Sequence, residues 1–137
     1  MTSTTNQLSK TTLWISYFMS GIVILFMLAD SIGKFIKPEA VITGTLELGY
    51  AEHHLLVMGI LSLFSILLYA FPRTALLGAV LLTGYWGGAI ATHVSLDNPL
   101  FSHILFPIYL AVLAWGGIWL RDERIRNLVP LLKQRSL

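Results

Sequence analysis

The chain has 137 residues, of which 55% are hydrophobic and 12% are charged, and its formal net charge is +2. Soluble proteins carry about 25% charged residues, and a soluble fold of this size lacks the interior volume to bury so many apolar side chains. A small positive charge without a basic stripe argues against nucleic-acid binding. The lack of cysteine excludes disulfides, iron–sulfur clusters and thiolate metal ligands. The length predicts a single domain, residues 1–137.

Four uncharged runs predict four membrane-spanning helices. Each run falls within the roughly 17–25 residues that cross a hydrocarbon core about 30 Å thick, and a lone strand in lipid cannot satisfy its backbone. We therefore predict an all-α integral membrane four-helix bundle. Its spans are placed at approximately 12–32, 53–71, 74–93 and 103–120. A cleaved signal peptide is the alternative for the first run, but Lys10 alone makes a weak n-region.

Two turns and a basic tail complete the predicted topology. Pro72 cannot continue the second helix, so the turn 71–74 predicts an antiparallel hairpin with the third helix. The sequence Asp97-Asn98-Pro99 predicts the turn before the fourth. Residues 121–137 combine apolar and basic positions at helical spacing. This pattern predicts a helix on the membrane surface, with a partner helix as the alternative.

The basic residues of the short segments outside the spans predict the orientation. Seven lie on one side of the predicted spans and two on the other. The richer side is expected to face the cytoplasm. Both termini are therefore predicted to be cytoplasmic and the loops 31–54 and 93–103 periplasmic, in the inner membrane of a bacterium. The seven are Lys10, Arg73, Arg121, Arg124, Arg126, Lys133 and Arg135, and the two are Lys34 and Lys37.

Small and aromatic residues stand together in the third predicted span. Gly84, Gly87 and Gly88 include a Gly-x-x-x-Gly pair, which lets two helix backbones approach closely in lipid. A helix contact within the chain is the first interpretation of this pair, and a homodimer seam is the second. Tyr85 and Trp86 lie in mid-span and need hydrogen-bond partners when buried. They are predicted to be core residues or the wall of a pocket.

Acidic and imidazole side chains converge on the predicted periplasmic end. Glu47 and His54 are placed near the start of the second span, His93 ends the third and His103 begins the fourth. Ionisable groups at membrane depth face the bundle interior or a wet cavity. The candidate ligand-binding residues are Glu47, Tyr50, His54, Trp86 and His93. Asp30 is expected to close the first helix and to form an i,i+4 pair with Lys34 that needs no catalytic role.

Several chemistries fit this set of side chains. A quinone headgroup needs hydrogen-bonding groups at this depth and an apolar slot for its tail, and His–carboxylate pairs suit proton transfer. His54, His93 and His103 are candidate metal ligands, and His54 with His93 are candidate axial ligands of haem. The neighbours His53 and His54 are expected to point about 100° apart on a helix, which disfavours joint ligation. Nothing in the spacing assigns a reaction.

Short motifs along the chain resemble the DoxX-like family of small four-helix bacterial membrane proteins. They are Gly33-Lys34-Phe35, Leu48-Gly49-Tyr50, the Pro72 turn, and Gly87-Gly88-Ala89 leading to Thr92-His93 with Asp97 beyond. The resemblance implies a link to redox systems, since the family name derives from a membrane subunit associated with quinone-coupled sulfur oxidation. It marks Lys34, Gly49, Tyr50 and His93 as family-pattern positions without giving them a role.

Two functions follow as hypotheses. The first is a redox-associated membrane protein that binds a quinone or similar lipophilic small molecule at the His/Glu site. The second is a non-catalytic accessory subunit or assembly factor that docks a membrane-complex partner. Transport of a small solute is disfavoured because the predicted cytoplasmic halves of the spans lack ionisable residues and the chain lacks internal repeats.

Overall fold

The computed structural model describes residues 8–130, and this part of the chain is helical without strands. The prediction of an all-α fold is confirmed for these residues. The helices are α1 (Lys10–Ile36), α2 (Glu39–Glu47), α3 (His54–Ala70), α4 (Ala75–Ser95), a π-helical turn (Leu100–Ile104), α5 (Phe106–Arg121) and α6 (Glu123–Leu128). The end of the predicted basic tail, including Lys133 and Arg135, lies outside the described residues.

The first helix is longer than the predicted span 12–32. The side chain of Ser9 caps it by accepting a hydrogen bond from the Thr12 N–H at 3.2 Å. It ends at Ile36, because Lys37 adopts a left-handed conformation (φ 55°) and Pro38 cannot continue a helix. The expectation that Asp30 closes this helix is therefore wrong. Asp30 lies almost two turns inside α1.

A short second helix occupies part of the segment predicted to be a loop. It covers nine residues, begins after Pro38 and ends at Glu47. Pro favours the first turn of a helix because its fixed φ is already helical. Gly49, with φ 83°, then reverses the chain before α3. Glu47 therefore ends α2 and does not open the next helix, which corrects the sequence interpretation.

The four longer helices contact one another as a closed ring. Helices α3 and α5 both pack on α1, and both also pack on α4. Three segments are long and apolar enough to cross a bilayer: α1, α4 and Leu100–Arg121. The chain is thus a multi-pass helical membrane protein in contact with lipid. Helix α3 is apolar and has 17 residues, the lower limit of about 17–25 for a span. That α3 crosses the bilayer, and that both termini face the cytoplasm, stay predictions.

Glycines make the closest helix contacts, although not the glycines that the sequence indicates. Gly78 of α4 faces the backbone of Tyr69, and Gly117 of α5 faces Ser20 and the carbonyl of Ser16. In contrast, a Cβ built at Gly84, Gly87 or Gly88 would meet no atom within 4 Å. The predicted helix contact within the chain at these three positions is therefore wrong. The homodimer seam stays a prediction.

The described part of the basic tail folds back against α5. The Asp122 side chain caps α6 by accepting a hydrogen bond from the Arg124 N–H at 2.9 Å. Trp119 Nε1 donates to the carbonyl of Val129 at 3.0 Å. Ile125 is buried between the two helices at 3% exposure. The tail is thus tied to the helix ends by one apolar side chain and a set of polar contacts.

This cap makes the docking of α6 dependent on pH. The hydrogen bond from the Arg124 guanidinium is the main cause that lowers the pKa of the Asp122 carboxyl; together with its charge and two backbone N–H donors it outweighs burial, which alone would raise that pKa. A carboxyl whose folded pKa is depressed stabilises the fold above its unfolded pKa, about 3.9, and loses that contribution as the pH falls through the folded value. We expect the NMR resonance of the Trp119 indole to shift below about pH 4. Asp122→Asn, which cannot titrate, should abolish that shift, and an identical titration in the variant would contradict the assignment.

Candidate ligand-binding site

A cavity of about 710 Å³ lies at the end of the helices away from the termini. Ligand pockets in proteins typically measure about 300–1,000 Å³ and are mostly apolar with a few polar groups. Residues of α1, α2, α3, α4 and α5 all line it, so the cavity exists only in the folded chain. Its apolar lining includes Phe26, Met27, Val41, Leu48, Met58, Phe106 and Leu110.

One wall of the cavity is bare helix backbone. Gly84 and Gly88 lie one turn apart on α4 and both line the cavity, as does Gly44 of α2. A Cβ added at any of these positions would meet open space. The Gly-x-x-x-Gly pair therefore does not bring two helices together in the described part of the chain. It leaves room beside α4.

An ion pair on α1 lines the same cavity. The Lys34 ammonium contacts the Asp30 carboxylate, one helical turn away, and lies 5.9 Å from the centroid of the Tyr85 ring. Only 12% of the Lys34 side chain is exposed, and a charge at this depth needs such partners. The predicted i,i+4 pair is therefore present, but it lies in the cavity wall and not at a helix end. The signal in the sequence was one acid–base pair interrupting a long apolar run.

Trp86 supplies a buried hydrogen-bond donor. Its ring lines the cavity and is 4% exposed. The indole Nε1–H has no hydrogen-bond partner among residues 8–130. Leaving a buried donor unpaired costs about 1–3 kcal/mol, and such groups normally have a protein or water partner.

Hydrogen bonds fix the polar groups at the mouth. The Asn98 amide donates to His93 Nδ1 at 2.9 Å, so the neutral ring carries its proton on Nε2. The His93 ring meets the His103 ring edge to face, with centroids 5.4 Å apart. Thr92 donates to the Gly88 carbonyl at 3.0 Å. The Tyr50 hydroxyl therefore donates to Thr92 Oγ1 at 2.7 Å and ties the α2–α3 linker to α4.

The structure brings most of the sequence candidates together. Glu47, Tyr50, Trp86, His93 and His103 all line the cavity. His54 does not, because it is exposed at the start of α3 and its Nδ1 accepts a hydrogen bond from the Ala51 N–H at 3.1 Å. Its assignment as a ligand-binding residue stays a prediction.

The metal hypothesis gains no geometric support in the described part of the chain. No group of three or more His, Cys, Asp or Glu side chains there is arranged to hold a metal ion. His93 and His103 are neighbours, while His54 packs against Tyr50, with ring centroids 6.1 Å apart. The rings of His53 and His54 lie closer than expected, at 4.1 Å between centroids. The metal and haem assignments stay predictions.

Comparison with known families agrees with the motifs in the sequence. The model of the DoxX-like family matches residues 18–117 of the 137. The matched segment contains every residue that lines the cavity. Comparison with curated proteins and with solved structures gives no match. The family match covers well over half of the chain, and the protein belongs to the DoxX-like family.

Proposed function

We propose that the cavity binds an amphiphilic small molecule of the quinone class. The observation that carries the proposal is the unpaired indole N–H of Trp86, buried in the wall of a largely apolar cavity of about 710 Å³. A quinone offers what this wall lacks: a carbonyl oxygen that accepts a hydrogen bond. Its flat ring suits a wall of bare glycine backbone, and its hydrocarbon tail suits the apolar lining.

The polar groups of the cavity fit the headgroup of such a ligand. Lys34 and the neutral His93 ring are donors for a second carbonyl oxygen. Glu47 and His103 are exposed at the mouth, where they can exchange protons with water. This arrangement supports a redox-associated role, in which the protein holds a quinone carrier for an electron-transfer partner in the bacterial inner membrane.

Tryptophan fluorescence tests this binding directly. The protein has four tryptophans, and Trp86 lines the cavity. Titration of the detergent-purified protein with a decyl-substituted benzoquinone should quench part of the emission saturably. Trp86→Phe should lose that saturable part and keep only the collisional quenching of the remaining three. Quenching that stays linear in the wild type would contradict the proposal.

Substitutions at the mouth test which side chains take part. His93→Ala and Glu47→Gln, made separately, should each weaken binding by roughly 2–10-fold, the value of one hydrogen bond. His53→Ala is the matched control, because that exposed histidine does not line the cavity, and it should bind within about twofold of the wild type. Unchanged binding in both mouth variants would remove the His/Glu site from the proposal. A stoichiometric protein partner without saturable quenching would favour the accessory-subunit alternative.

A further inference from the structure

A second polar cluster lies at the opposite end of the helices, where α1 begins and α5 ends. We call it the terminal cluster: Ser16 and Ser20 of α1, Tyr69 of α3 and Arg121 of α5. Arg121 Nη1 donates to Ser20 Oγ at 2.6 Å and to Ser16 Oγ at 3.2 Å. The sequence suggested only a basic surface at this end. The cluster forms because residues about 50 and 100 positions apart meet.

The hydrogen bonds of the terminal cluster have one consistent direction. The Tyr69 hydroxyl donates to the Ala114 carbonyl at 2.7 Å, so it accepts from Ser20 at 2.8 Å. Ser16 in turn donates to the Gly117 carbonyl at 2.7 Å. Both serines have used their protons, and each accepts from the guanidinium. Ser16 and Tyr69 are almost fully buried. The guanidinium is thus held at Nη1 by the two buried serine hydroxyls.

Arg121 has no carboxylate to balance its charge in the described part of the chain. All seven acidic side chains lie between residues 30 and 123, and the ion pairs there join Asp30 with Lys34, Glu52 with Lys37 and Asp122 with Arg124. The edge of the guanidinium formed by Nε and Nη2 makes no hydrogen bond to residues 8–130, and Arg121 is only partly buried. An arginine in this state presents a planar pair of donors that matches a phosphate.

Exposed aromatic side chains of α1 lie at the same end of the helices as Arg121. Its guanidinium carbon lies 5.4 Å from the centroid of the Tyr17 ring. Tyr17 is 61% exposed and Trp14, on the same end of α1, is 76% exposed. Exposed Trp and Tyr of a membrane protein lie at the level of the headgroups, where the phosphates are. The nearby Arg126 already uses its Nη1 in hydrogen bonds to the carbonyls of Trp119 and Leu120.

From these observations we infer that Arg121 forms a binding site for the phosphate of an anionic phospholipid. Buried hydroxyls orient the guanidinium, and its free edge receives the phosphate beside the Tyr17 ring. The exposed aromatic and aliphatic surface of α1 lies beside the acyl chains. The site is independent of the cavity, which lies at the other end of the helices.

Native mass spectrometry of the full-length protein in detergent tests the site. The probe is an equimolar mixture of phosphatidylglycerol and phosphatidylcholine, with inorganic phosphate added in a separate titration. The wild type should retain phosphatidylglycerol preferentially, and Arg121→Gln should reduce that retention about tenfold, as expected for a lost charge-assisted contact. Arg124→Gln is the matched control, because Arg124 already pairs with Asp122, and it should retain the lipid as the wild type does.

The other possible results of this experiment also test whether Arg121 binds a lipid phosphate. A wild type without preference for the anionic lipid overturns the inference, even if Arg121→Gln fails to fold. Equal losses in Arg121→Gln and Arg124→Gln would show diffuse attraction and overturn it too. Displacement of the lipid by millimolar phosphate would assign the site to a free anion. Arg121→Lys keeps the charge without the planar fork, and intermediate retention in that variant supports the bidentate geometry.

Discussion

Gly88→Leu is expected to weaken quinone binding strongly while the helices stay folded. A Cβ added at this position would meet no atom within 4 Å, and Gly88 lines the cavity. The new side chain therefore starts without a clash, and we expect it to occupy the space beside α4. Excess volume in a binding pocket costs about 1–3 kcal/mol per misplaced group, which corresponds to a loss of roughly 10–200-fold in affinity. The loss of affinity is measured from the saturable quenching of Trp86 by the decyl-substituted benzoquinone.

Gly87→Leu is the matched control for this variant. Gly87 is the adjacent residue of α4 and also meets open space, but it does not line the cavity. Gly87→Leu therefore adds the same side-chain atoms to α4 as Gly88→Leu does, but on a different face of the helix. We expect its binding to equal that of the wild type, with both variants showing wild-type helical circular dichroism. Equal weakening in the two variants would mean that the cavity is not the binding site.

The second large effect is expected from Gly78→Ala, which should destabilise the fold by about 1–3 kcal/mol or more, as overpacking does. A Cβ at this position would lie 2.5 Å from the Tyr69 Cα and 2.8 Å from the carbonyl carbon of Leu68. These are backbone atoms, so no side-chain rotation relieves the clash and α3 must move away from α4. Tyr69 is anchored to Ser20 and Ala114, and the displacement therefore reaches the terminal cluster.

Thermal unfolding in detergent, followed by circular dichroism, measures this effect. The control is Gly87→Ala on the same helix, where a methyl group meets nothing. There the change should be neutral or stabilising, because alanine favours a helix over glycine by about 1 kcal/mol. Equal melting temperatures for Gly78→Ala and Gly87→Ala would refute the close α3–α4 contact.

The local pattern of the chain determined the class and the order of its helices. Long uncharged runs leave a bilayer as the environment that accepts them, and Pro72 cannot continue the helix that precedes it. The predicted turn 71–74 is present, with a hydrogen bond from the Thr74 N–H to the Phe71 carbonyl at 3.0 Å. The motifs around Gly49 and His93 were sufficient to identify the family. These features depend on neighbours in sequence, and they could be read without coordinates.

Helix α2 was not predicted because the sequence carries little local signal for it. It has nine residues, no side-chain cap and a glycine in its middle. Isolated helices shorter than about 12–15 residues are marginal in water, so the sequence carries little signal for one. Tertiary contact must supply the stability of α2. The sequence was sufficient to choose Glu47 as a site residue. It was wrong about the position of Glu47, which ends α2 and does not open the next helix.

The sequence by itself determined a multi-pass helical membrane protein with polar side chains gathered at one end. Only the tertiary structure decided which residues share a cavity. Asp30 and Lys34 line the cavity because α1 continues past both residues. Gly84 and Gly88 line it because, in the described part of the chain, no atom lies within 4 Å of a Cβ added at either position. Arg121 is held by Ser16 and Ser20 across roughly a hundred residues of sequence. Helical periodicity reports that a face is buried, but the partner of that face depends on packing between distant segments, which no local pattern encodes.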